Sequence, residues 1–78
     1  MRIDLVKVSR ARRLCMDGQG RRLRVAAQVS VRELAQAVGV NPATVCRWET
    51  GESAPRPDAA VRWVDALQQL AADDEDTW

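Results

Sequence analysis

Between Ser30 and Gly51 the chain carries two helix starts and two helix stops in close succession. Ser30 stands before Val31, with Glu33 three residues on. This is a capping box, in which each side chain bonds the other residue's backbone N–H. Val29 and Leu34 occupy the flanking positions where two apolar side chains staple the chain's entry into a helix. Val31, Leu34, Ala35 and Val38 repeat at helical spacing and predict one apolar face. Gly39 follows, the residue type that most easily takes the left-handed conformation ending a helix. Asn41 is then a second N-cap, and Pro42 takes the first helical position, where a missing N–H costs nothing. Val40 and Val45 repeat the staple spacing. Val45 and Trp48 face inward, Ala43, Thr44 and Arg47 face outward, and Gly51 ends the segment.

The remaining chain is also helical in character. Leu5, Val8, Ala11 and Leu14 or Cys15 form a stripe along residues 4–16, although Ile3 and Leu5 leave a short extended start open. The run Asp17-Gly18-Gln19-Gly20 breaks that helix. A second helix is expected over about residues 20–28, with Leu23, Ala26 and Ala27 inward. A loop over residues 52–57 leads to a last helix over about 57–72, with Ala60, Trp63, Val64, Leu67, Leu70 and Ala71 as its stripe. Residues 73–78 read as an acidic tail in which Trp78 is disordered. The expectation is one all-α domain over residues 1–72.

Several function classes fall away. The chain has no His and no Tyr, and it shows neither a nucleophile–base pair nor a phosphate-binding loop, so no enzyme is expected. Cys15 and Cys46 are distant in sequence and have no His to join them in a zinc site; both are expected as free thiols. No cofactor, membrane span or small-molecule ligand is expected, and the compartment is read as the cytoplasm. The net charge of +1 is unevenly placed: residues 1–24 carry +6 and residues 73–76 carry −4. A basic arm of this kind suits a polyanion.

Two short helices joined by a Gly-centred turn make a helix-turn-helix unit over residues 31–50, with Ala35 small where the second helix crosses it. Leu34, Ala35, Gly39, Val40, Val45, Arg47-Trp48-Glu49, Gly51 and Pro55 resemble the lambda-repressor and Cro-like (XRE) helix-turn-helix family, over roughly residues 19–72. The resemblance implies a compact five-helix domain, counting the added Arg-rich N-terminal helix, which resembles extensions on some actinobacterial members. It implies that helix 42–49 lies in the major groove of double-stranded DNA. It also implies an ion pair between Arg24 and Glu49. Val31 and Pro42 stand where many members carry polar, DNA-contacting side chains.

The expected base contacts are Arg47, suited to a bidentate bond with guanine, and Thr44 and Ala43, which would touch thymine methyls or a phosphate. Ser30, Arg32, Asn41, Arg56, Arg10, Arg12 and Arg13 are the expected phosphate contacts. Trp48 and Trp63 lie on apolar stripes and are expected in the core, and Cys46 is read as a small neutral filler. The functional expectation is a sequence-specific transcriptional regulator, bacterial or phage-encoded and of the repressor type. A homodimer on a palindromic site is one arrangement open to it. Two alternatives stand beside it: a recombination directionality or architectural DNA-binding factor, and a protein-interaction adaptor on the same fold.

Overall fold

Trp63, with none of its surface exposed, is the point on which the helices converge. The computed structural model describes the backbone of residues 4–76 and the side chains of residues 4–72. Helices are the only regular structure among them: α1 (Leu5–Asp17), α2 (Gln19–Ala26), α3 (Val31–Val38), α4 (Pro42–Thr50) and α5 (Pro57–Asp76). α5 is the spine, and α1, α2 and α3 all pack on it. Its side chains Ala60, Trp63, Val64 and Leu67 meet Leu34, Ala35 and Val38 of α3, Val45 and Trp48 of α4, and Val8, Ala11, Leu14 and Cys15 of α1 in one core. The Trp48 and Trp63 ring centroids lie 5.2 Å apart with planes tilted by 50°, within the range where tilted aromatic pairs attract. The Trp63 indole N–H is buried without an acceptor.

The local signals around the turn act as their residue types require. Ser30 Oγ accepts from the Glu33 N–H at 3.0 Å, and Glu33 Oε1 accepts from the Ser30 N–H at 3.0 Å, closing the capping box. Gly39 ends α3 at φ 84°. Its N–H and that of Val40 both reach the Ala35 carbonyl. The Val38 carbonyl would otherwise be orphaned, and it accepts from Arg62 Nε of α5 at 2.9 Å. Asn41 Oδ1 accepts from the Ala43 N–H at 2.9 Å, with Pro42 in the first turn.

Four sequence expectations need correction. Leu5 is 73% exposed, because α1 begins beyond the edge of the core, and no extended segment is seen from residue 4 onward. α2 ends at Ala26 rather than near Gln28, which takes a left-handed φ of 60°, and Ala26 is exposed. The buried residue of α2 is Gly20, where a Cβ would lie 2.7 Å from Trp63 Cζ2, and the expected Leu23 is half-buried against the core. α5 runs to Asp76, four residues past the expected end, since no Gly or Pro interrupts residues 70–76. Residues 73–76 of the expected tail are therefore helical backbone, whereas Trp78 lies outside the described residues.

The N-terminal helix is part of the core rather than an appendage. It buries Val8, Ala11, Leu14 and Cys15, and Lys7 bonds Asp65 of α5. Burying each large aliphatic side chain contributes about 1.5–3 kcal/mol. The total stability expected of a domain this size is about 4–12 kcal/mol. The fold therefore leans on α1 for a large share of its margin.

Candidate nucleic-acid interface

The residues of α4 divide cleanly between two faces. Val45, Trp48 and Glu49 are buried, whereas Pro42, Ala43, Cys46, Arg47 and Thr50 are exposed. Ala43, Cys46, Arg47 and Thr50 fall within an arc of about 100° around the axis, so they form one outward strip. Arg47 makes no ion pair among the described residues. Its nearest acidic neighbour in sequence, Glu49, points the other way, so the guanidinium remains available to a ligand in front of the helix.

Among the described residues Glu49 is the one charged side chain in the core, and its partner explains why it is tolerated there. Arg24 Nε donates to Oε2 at 2.6 Å and Arg24 Nη2 to Oε1 at 3.1 Å. Arg24 Nη1 donates to the Val29 carbonyl at 2.9 Å. One guanidinium thus ties together α2, the segment leading into α3 and the C-terminal end of α4. Only 12% of the Arg24 side chain and 4% of the Glu49 side chain are exposed. The hydrogen bonds to Glu49 raise the guanidinium pKa above its ordinary value and keep it charged. The pair joins α2 to the C-terminal end of the helix that carries the outward strip.

The other sequence-predicted residues separate into groups. Ser30 and Asn41 spend a side-chain oxygen on their own caps. Both are exposed, and the Asn41 amide keeps its two N–H donors for a ligand. Thr44 is half-buried and lines an open cleft of about 340 Å³ with Val40, Trp48, Pro55 and Arg56. The structure places Arg56, expected from sequence as a phosphate contact flanking the groove-facing surface, beside the N-terminal half of α4. Arg32 is exposed in the first turn of α3.

Arg10, Arg12 and Arg13 are all exposed, but they do not form one surface. Arg10 and Arg12 point about 160° apart around α1. The C-terminal end of α1 meets the far end of α4, with the Cys15 carbonyl 3.1 Å from where a Gly51 Cβ would stand. Gly51 itself has φ 79°, so this close approach and the turn both demand glycine.

Residues that the sequence reading missed are those whose partners are distant. Arg62 on the α3 carbonyl and Lys7 on Asp65 have no local signal at all. Cys46 carried an outward signal at helical spacing but was assigned no ligand. Both cysteines are free, Cys15 buried and Cys46 exposed. No cluster of metal-ligating side chains occurs among the described residues, and no helix there is long and apolar enough to cross a membrane.

A family model described as a helix-turn-helix domain matches residues 21–78. The match begins within α2, after α1, and runs through α5. No curated protein and no solved structure matches the chain.

Proposed function

Since the chain belongs to the helix-turn-helix domain family, of the XRE/Cro-like type, whose fold serves DNA binding, we propose that it binds double-stranded DNA sequence-specifically and acts as a transcriptional regulator. In this reading α4 enters the major groove and Arg47 reads a guanine through its O6 and N7 acceptors. The observation that carries the reading is the unpaired Arg47 on an exposed strip whose opposite face is held by the Arg24–Glu49 pair. A rigid helix with one free fork of donors is suited to base recognition, because the geometry is set before the ligand arrives.

Phosphate contacts hold register without reading sequence. Arg32, Arg56, Ser30 and Asn41 are assigned this role, with Thr44 beside Arg56. The α1 arginines contribute to the field but cannot all meet one duplex, given their spread around the helix. A single short helix with one base-reading cation specifies few base pairs, so two copies on a palindrome would extend the site.

Selection from a pool of random duplexes tests the reading. An enriched motif containing guanine, bound at least a thousandfold more tightly than bulk DNA, is the expected result for a specific binder. Uniform binding to all duplexes, or none, would overturn it.

A further inference from the structure

We infer, building on the placement of α4 in the major groove, that Ala43 and Cys46 form a surface that accepts the C5-methyl group of a pyrimidine beside the guanine read by Arg47. The exposed strip has few hydrogen-bonding groups to offer a base edge. Asn41 Oδ1 is committed to the Ala43 N–H. Pro42 has no N–H, and Ala43 has no hydrogen-bonding group. Cys46 offers only a weak thiol donor. Thr50 Oγ1 donates to the Arg47 carbonyl at 3.2 Å and sits at the far end of the helix. Thr44, the other methyl-bearing candidate, is turned about 100° away from Ala43 and is half-buried in the cleft with Arg56.

Between the cap and Arg47, a base edge therefore meets a methyl and a thiol. Every base presents major-groove donors or acceptors that such a surface leaves without partners, thymine O4 included, so hydrogen bonding favours none of them. The C5-methyl group is the one base-edge feature there that needs no hydrogen bond. The spacing agrees. Ala43 and Arg47 are one turn apart, about 6 Å along the helix. That is nearly two base-pair steps of about 3.4 Å, while Cys46 is next to Arg47. The midpoint of Ala43 and Cys46 lies about 4 Å from Arg47 along the helix, about one base-pair step, so a methyl seated between them and the guanine fall on neighbouring base pairs. Thymine carries this group, and 5-methylcytosine presents the same one.

Two series on the selected duplex separate the sources. Each thymine is replaced singly by deoxyuridine, which deletes only the methyl. At the position next to the guanine we expect affinity to fall about fourfold, the effect of one buried methyl-sized group. Cytosine and 5-methylcytosine are then compared at that position, where methylation should restore a similar factor. In an Ala43→Ser, Cys46→Ser variant, confirmed folded by its melting curve, thymine and deoxyuridine should bind equally while the guanine dependence persists. The wild-type series needs no variant and decides alone: indifference to the methyl in both series overturns the inference. Failure to select any motif would instead remove the DNA-binding reading on which it rests.

Discussion

Removing Glu49 alone should cost the fold far more than removing Glu49 and Arg24 together. Glu49→Leu leaves the Arg24 guanidinium, only 12% exposed, with the Val29 carbonyl as its remaining partner. Breaking a buried pair by deleting one charge typically costs about 3–5 kcal/mol. The surviving bond and the residual exposure place this case near the lower end, about 3 kcal/mol. For a domain of this size that corresponds to a fall in Tm of about 12–24 °C. The Arg24→Met, Glu49→Leu double variant removes both charges and substitutes side chains of similar bulk, so it should recover most of the loss. Urea unfolding of the wild type, both single variants and the double variant supplies the full cycle. A loss below about 1 kcal/mol for Glu49→Leu, the range of an exposed pair, would refute the reasoning. Additive single effects would refute it as well.

Other consequences follow from the same packing. Deleting residues 1–17 should abolish cooperative unfolding in circular dichroism, although the family match begins after them, because α1 supplies four core side chains. Gly20→Ala should lower stability by about 1–2 kcal/mol, the strain against Trp63 exceeding the gain in helix propensity; a stabilised variant would contradict the close contact. The capping box lowers the Glu33 pKa through its bond to the Ser30 N–H. Its stabilisation is therefore present above the ordinary value of 4.5 and lost as pH falls through the depressed folded value. The stability difference between wild type and Glu33→Gln should accordingly vanish in acid, and a pH-independent difference would contradict the charge-based account. Burial pushes the Cys15 thiol up to about 11, so a thiol reagent at pH 8 should titrate Cys46 alone in the folded protein and both cysteines after unfolding.

The centre of this fold was legible because its signals are local. A cap, its partner three residues on, and a glycine stop sit within one or two turns of each other, as at Ser30, Glu33 and Gly39. The outward strip of α4 was legible for the same reason, since helical period alone separates Arg47 from Trp48. The role of Gly20 was not legible: in sequence it belongs to a breaker, whereas its purpose is to admit Trp63, more than forty residues away. The burial of α1 was half legible, as a stripe without an address. Its arginines suggested a single basic arm because charge sums ignore direction, and the helix distributes Arg10 and Arg12 to different sides. The continuation of α5 to Asp76 ran against the expectation set by an acidic cluster, where the absence of any stop residue prevailed.

The claim that α4 reads sequence through Arg47 is tested most directly by a cycle that alters one group on each side. The affinities of wild type and Arg47→Ala are measured on the selected duplex and on the same duplex with its guanine replaced by 7-deazaguanine, which lacks the N7 acceptor. The account predicts that Arg47→Ala weakens binding by about 1–3 kcal/mol on the natural duplex. It predicts that the variant no longer distinguishes guanine from 7-deazaguanine. An equal loss for Arg47→Ala on every duplex, with the discrimination intact, would make Arg47 a phosphate contact and contradict the claim.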